Sequence, residues 1–589
     1  MLRTRAASLS LYGATDLIAQ LQSLEDERAS VEQTYRAQLA ALQAAHDAAV
    51  ERISTKEHDL EAQRQRLRTA VLAKQAAFDD DAAAAQEYIS RLPPELLSEI
   101  ASHVVGTQSV APVALVPLLL VSRMWKATLE STPSLWTCVS LPAAPSASSL
   151  RALRRQLDLA RAAVLDVRVE AETCSPEHLF AYWAGMALLR AVLPRIRTLE
   201  ITVRARTQLS DVLAHLSAPA PQLSRLIFHG PHGENIAYIP TGVLSGAQPE
   251  TLVLQHACVP LETFVRPGLR HMDVSAVLAH QHQVDAIESS IELTVSTLET
   301  VVIGGSQWHS DADFASPAPG SSTVDAPRLT SLTLDNAPLS RLTSRLRAPA
   351  LHTVALRMIF TTISLDFLEY APNVEDLTLV DVTIRQSRPL RLLHLAKLVM
   401  KLDTGIPLLE TLDAPGLAAL DVQQAEATAE DADVFIHAVD RFVSRCPMLT
   451  SMTIGVRQPK DDVPLQFASV CPALTELHLV NMPCSLYLSS LPAVGTLTIT
   501  GGSPDACILA SALPEVRHLF VDGIDSVDAI VDQLRCDTSV WSSLETFELN
   551  HCPLTSGEAL VEIVRLRRAP GTLRSAAVWS CSGVKFIDF

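Results

Sequence analysis

Three patterns of apolar and polar positions succeed one another along this chain. Between Asp16 and residue 86, apolar side chains recur mostly at steps of three and four: Leu17, Leu21, Leu24, Val31, Tyr35, Leu39, Leu42, Ile53, Leu60, Leu67, Val71 and Phe78. No proline interrupts them, and alanine, glutamine and charged residues such as Glu57, Glu61 and Arg64 fill the other faces. A long helix with a narrow apolar seam is predicted over 16–86, capped by Asp16 and preceded by a short tail, 1–15. The seam slips near Ala45 to Ala49 and contains Arg28 and Gln38. Three fates stay open for it: a homodimeric coiled coil, a helical pair folded on itself, or a solvated helix packed on the segment that follows.

The second pattern runs over 87–141. After Leu92, the prolines Pro93 and Pro94 can open a helix, because the first turn leaves its N–H groups unused and proline's φ is already helical. Glu95 sits where the helix dipole favours a carboxylate. Leu96, Leu97, Ile100, Ala101 and Val104 then follow at helical steps, predicting one apolar flank. A second helix is predicted from Pro117, carrying Leu118, Val121, Met124, Trp125 and Leu129 inward until Thr132, which Pro133 pushes out of helical geometry. Ser134, Leu135 and Trp136 close the unit. A segment of about fifty residues cannot satisfy this many leucines and two tryptophans alone, so an apolar flank is left over for a partner.

The third pattern fills 150–589, after a short stretch rich in proline and small residues at 142–149 that reads as a linker. Its unit is the phrase P-x-L-x-x-L-x-L, with conservative variants, beginning at Pro194, Pro221, Pro327, Pro349, Pro372, Pro447, Pro472, Pro492 and Pro514. Weaker copies centre on Leu252, Leu269, Leu298, Leu395, Leu417, Leu544 and Leu573. Each phrase predicts a proline that keeps the entering loop from becoming helix, then a short strand with alternate side chains pointing inward. Helical patterns lie between some phrases, as in Val434, Phe435, Ala438, Val439, Phe442 and Val443, and from a Thr555/Glu558 capping box to Arg567. Strand, helix and strand again build an α/β solenoid with a parallel sheet inside and helices outside. Polar insertions are expected at 304–326 and 424–433. Cys446, Cys471 and Cys552, each directly before a proline, read as small buried hydrophobes.

Two of these patterns resemble known families. The order L-P-x-E-L-L-x-x-I from Leu92, V-S-R-x-W from Val121 and T-P-S-L-W from Thr132 resembles the F-box motif, with a longer spacer, 105–114, than that family usually carries. The repeating phrase is similar to that of leucine-rich-repeat horseshoes, and the whole order is like that of fungal F-box/leucine-rich-repeat substrate receptors. The resemblance implies a substrate-recognition subunit of a Skp/cullin/F-box ubiquitin ligase. Leu92, Pro93, Leu96, Ile100, Leu118 and Val121 would then hold a Skp-type adaptor, and through it a cullin, while the repeats hold a protein client. The sequence does not separate these contacts from the segment's own core. The alternative is a coiled-coil and repeat scaffold that tethers proteins without ubiquitin transfer.

Charge narrows the partners. The net charge of −18, from 47 basic and 65 acidic side chains, repels nucleic acid and anionic lipid, so neither is expected. The longest apolar run, Val110 to Val121, is too short and too broken by proline to span a bilayer. Ten cysteines lack C-x-x-C or paired Cys/His spacing, which points to reduced thiols in the cytoplasm or nucleus and no structural metal. His280 with His282, and His256 with Cys258, are too isolated to hold a metal. Gly304-Gly305 and Gly501-Gly502 lack the lysine and hydroxyl of a phosphate loop, and no G-x-S-x-G is present. No cofactor and no catalysis are expected.

The positions between the inward residues of each phrase list the solenoid's concave face directly. Threonine dominates, acids outnumber bases, and Lys397 with Lys401 is the one close cationic pair. A client with a neutral or basic surface is expected, contacted by Asp421, Glu476, His478, Asp522 and Glu548.

Overall fold

The computed structural model describes residues 23–69 and 92–581 with interruptions, the longest within the second range being 306–322. The chain divides into two compact units, 1–97 and 98–589.

In the first unit, every described residue between Ser23 and Thr69 is helical and exposed. The seam residues Leu24, Val31, Leu60 and Leu67 are all uncovered, as is Val50 beside them in the helix. Local ion pairs support the helix, with Arg36 2.7 Å from Glu32 and Arg64 3.9 Å from Glu61. The remainder of the expected 16–86 helix lies outside the described residues.

The second unit holds a parallel sheet that, among the described residues, has 18 strands, each paired with the next along the chain from Cys138–Leu141 to Ser575–Trp579. This is the α/β solenoid predicted from the repeating phrase. At nearly every copy the chain makes the same turn. In the copy at Pro372, Val374 donates its N–H to the Ala371 carbonyl at 3.3 Å, which puts Pro372 at the second turn position, where its fixed φ belongs. Equivalent bonds join Ala326 to Leu329, Ala348 to Leu351, Cys446 to Leu449 and Cys471 to Leu474. In these copies the residue before the proline is a buried small side chain, alanine or cysteine alike, and at Leu193, Leu491 and Leu513 it is a buried leucine. Burial pushes the Cys446 thiol up to about 12 and that of Cys471 to about 11, so both stay protonated and inert.

Each strand ends as regularly as it begins. The residue after the last paired position takes a positive φ at Asn336, Asn481, Gly501, Gly523, His551 and Ser580. Its N–H bonds to the carbonyl ending the next strand, as Asn481 does to Thr500 at 2.7 Å and Gly523 to Asn550 at 2.9 Å. At Gly501 a Cβ would also meet the Asn481 carboxamide, so a side chain there needs Asn481 to move as well as a strained φ.

What returns the chain from one strand to the next depends on repeat length. Ala419 and Ser451 pair across 32 residues, room enough for the helix Ala429–Val443. Ser331 and Thr353 pair across 22, and there the return holds the four-residue helix Ser340–Thr343 followed by the short strand Leu346–Arg347. Two-stranded parallel ribbons, such as Val324–Asp325 with Leu346–Arg347 and Leu465–Phe467 with Leu486–Leu488, stand in several returns. The polar insertion expected at 424–433 is likewise shorter, because Gln424 ends a strand and Ala429 already begins the helix. That at 304–326 lies mostly outside the described residues.

Within the second unit, the residues before the sheet, from Ser98 on, are joined to it closely. Helices span Pro94–Gly106, Ala111–Leu119 and Arg123–Ser131, the last N-capped by the Ser122 hydroxyl, which accepts from the Trp125 N–H at 3.2 Å. Helix starts thus fall at Ala111 and Arg123, and Pro117, expected to open a helix, lies inside one. Trp136 donates its indole N–H to the Leu129 carbonyl at 2.9 Å, and Ser98 and Thr132 share a hydroxyl contact at 3.1 Å. Cys138–Leu141, expected to end the helical unit, is the first strand of the sheet. The stretch expected as a linker, 142–149, ends inside a helix: Ser146 forms a capping box with Ser149 and begins Ala147–Ala160. From that helix the buried Gln156 donates to the carbonyls of Trp136 and Cys138, and Arg155 pairs with Glu130.

Candidate functional sites

Two surfaces stand out, one on the helices and one on the sheet. Pro94–Gly106 was expected to have one apolar flank and has two. Leu97 and Ala101 are fully buried, whereas Leu96 is 45% and Ile100 40% exposed. The next helices behave alike. Leu115 is buried, yet Val116 is 50% and Leu120 80% exposed; Trp125 and Leu129 are buried, yet Met124 is 38% exposed. Met124 is thus a correction, expected inward and found outward. Of the other expected adaptor contacts, Pro93 is exposed, and Leu92, Leu118 and Val121 are partly buried. Leu120 and Val116, the most exposed of the group, were not singled out from sequence. Leu120 follows the last helical residue in a tight turn, its N–H bonded to the Pro117 carbonyl at 3.2 Å. Covering a leucine this open is worth about 1.5–2 kcal/mol to whatever packs on it.

The sheet's half-exposed face carries three columns of side chains, because aligned registers place every second residue of one strand beside its counterpart on the next. All five expected client residues stand on it. Asp421 and His478 lie in the middle column, with Thr453 between them, and Glu548 lies further along the same column. Glu476 is in the first column and Asp522 in the third. They do not converge on one point. Asp421 accepts from Gln423 at 2.9 Å, His478 shares a hydrogen bond with Thr500 at 2.9 Å, and Asp522 lies 3.1 Å from the ring of His551. Burial lowers the His478 pKa, opposed by Asp421 and assisted by Lys401. Lys397 is 3.7 Å from Asp376. Glu476 and Glu548 form no ion pair among the described residues.

The face also carries apolar side chains that the sequence listing passed over. Ile227, Val253, Val302, Val399 and Phe520 occupy the middle column, and Trp579 ends the third, 56% exposed. A detectable signal existed at three of them. Leu226-Ile227-Phe228, Leu252-Val253-Leu254 and Leu519-Phe520-Val521 are unbroken apolar runs, and a strand with one buried face cannot hide all three members. Asp273 sits between Val253 and Val302 in the middle column. Burial raises its pKa, and the nearby His229 works against that rise. His229 in turn bonds Gln255 at 2.8 Å and lies 3.9 Å from Glu200, which is 3.4 Å from Arg168.

Among the described residues, no group of three or more histidine, cysteine, aspartate or glutamate side chains could hold a metal ion, and no helix is long and apolar enough to cross a membrane. Known family models do not match this chain, and neither does any curated protein.

Proposed function

We propose that this chain is a non-catalytic receptor, in which the helical segment before the sheet binds a Skp-type adaptor of a cullin ubiquitin ligase and the open face of the sheet binds a protein client. One observation carries the reading. The part of the segment with F-box-like motifs that belongs to the second unit is packed onto the sheet, hydrogen-bonded and capped, and still leaves Ile100, Val116, Leu120 and Met124 uncovered. Apolar side chains left this open, at motif positions or beside them, suit a permanent apolar contact. Such a receptor performs no chemistry; it raises the effective concentration of client beside the conjugating machinery, in the cytoplasm or nucleus.

The test is capture of recombinant Skp-type adaptor by the full chain. Wild type is expected to retain it. Ile100→Asp with Leu120→Asp is expected to weaken capture about a hundredfold, because two charges are desolvated in an apolar contact. Circular dichroism of the variant should be unchanged, since both side chains lie outside the core. A wild-type chain that does not bind adaptor overturns the proposal. A dimer by light scattering in that case favours the scaffold reading, which the uncovered seam residues Leu24, Val31, Leu60 and Leu67 support.

A further inference from the structure

On the last five strands of the sheet, from Glu476–Val480 to Ser575–Trp579, the open face carries no lysine or arginine. It carries three carboxylates, Glu476, Asp522 and Glu548. Asp522 is answered by the His551 ring; Glu548 has no cationic partner among the described residues. The neighbours of Glu548 are unusual for an unpaired acid. Phe520 stands directly beside it on one adjacent strand, and Ala577, a methyl group, stands beside it on the other. Trp579 lies diagonally across from it and is the most exposed tryptophan among the described residues.

We infer that this corner is a seat for an arginine side chain carried by an extended basic segment of the protein client, a reading that deepens the client-binding role proposed above. Opposite residues on adjacent strands lie about 5 Å apart and diagonal ones about 7–8 Å apart, so both rings stand within reach of a group bound to the Glu548 carboxylate. A guanidinium meets all three demands at once. Its paired N–H groups suit a carboxylate, its flat faces stack on aromatic rings, and it is weakly hydrated. Ala577 adds no more than a methyl group beside the carboxylate. An ammonium satisfies the carboxylate and the rings less fully, and an anion is repelled by all three acids.

The experiment uses the full chain and a fluorescein-labelled eight-residue glycine–serine peptide carrying two arginines, read by fluorescence anisotropy at physiological salt. The arginine peptide is expected to bind, a lysine counterpart several-fold more weakly, and a glutamine counterpart not at all. Glu548→Gln is expected to weaken binding about tenfold and Trp579→Ala about fivefold. Glu476→Gln, three strands away in the first column, is expected to change it less than twofold. No binding by wild type overturns the inference, and so does an effect of Glu476→Gln equal to that of Glu548→Gln, which would mean a diffuse field rather than a seat. Adaptor capture separates the two proposals: if it persists while the peptide fails, the arginine seat alone falls; if it fails while the peptide binds, the adaptor reading alone falls.

Discussion

The helices before the sheet and the sheet itself dispose of their apolar residues in opposite ways. Along the strands, inward positions such as Leu377, Leu379, Leu477 and Leu497 are fully buried, and the open side is mostly polar. Along the helices, apolar residues stand on both sides, Leu115 and Trp125 inside, Val116, Leu120 and Met124 outside. A surface of the first kind discriminates by where it puts a few charges and rings. One of the second kind binds by area and suits a partner that is always the same. A single fold thus exposes two classes of surface, and their physics separates them.

The contrast breaks most severely at the core. Leu379→Ala is expected to cost about 2–5 kcal/mol in denaturant unfolding, because it opens a cavity within a fully buried column. Leu120→Ala is expected to stay within about 0.5 kcal/mol of wild type, being already exposed. Equal costs would mean that the outer helical surface is structural. A smaller effect is expected at Ser122, whose hydroxyl caps the helix bearing Met124 and Trp125. Ser122→Ala should lose about 1 kcal/mol, with weaker adaptor capture if that helix orients the contact.

The smallest effect is on the sheet face and depends on pH. Burial raises the folded pKa of Asp273 above its ordinary value of 3.8, so the folded chain holds its proton over a range where the unfolded chain has lost it. Stability therefore falls as pH rises from 3.8 through the folded pKa, and the ionised carboxyl carries its full cost above that. Asp273→Asn should raise the melting temperature slightly at neutral pH and lose that advantage below pH 3.8, checked by thermal unfolding at both pH values. An advantage that persists at low pH would mean that packing, not charge, is responsible.

Much of the sheet was legible beforehand because its signal is local. The phrase proline occupies one turn position copy after copy, and alternation along a strand states which residues look outward. That is why Asp421, Glu476, His478, Asp522 and Glu548 all reached the open face. The helices were harder to read. Leu96 and Leu97 are adjacent and equally apolar, as are Met124 and Trp125 near enough, and periodicity alone does not say which of two flanks meets the core. The stretch 142–149 was misread in part because small residues and prolines punctuate a linker and cap a helix equally well. Ser146 does the latter.

Repeat length, turn chemistry and the inward or outward sense of each strand residue are properties of the chain taken a few residues at a time, and so they could be had from the order of amino acids. Two decisions could not. Which apolar flank of the helices stays dry depends on where the sheet's first strand and the helix Ala147–Ala160 come to lie. The meeting of Phe520, Glu548 and Trp579 depends on register between strands more than twenty residues apart. Both are contacts across distance, and no local pattern of hydrophobicity encodes which distant surface will arrive.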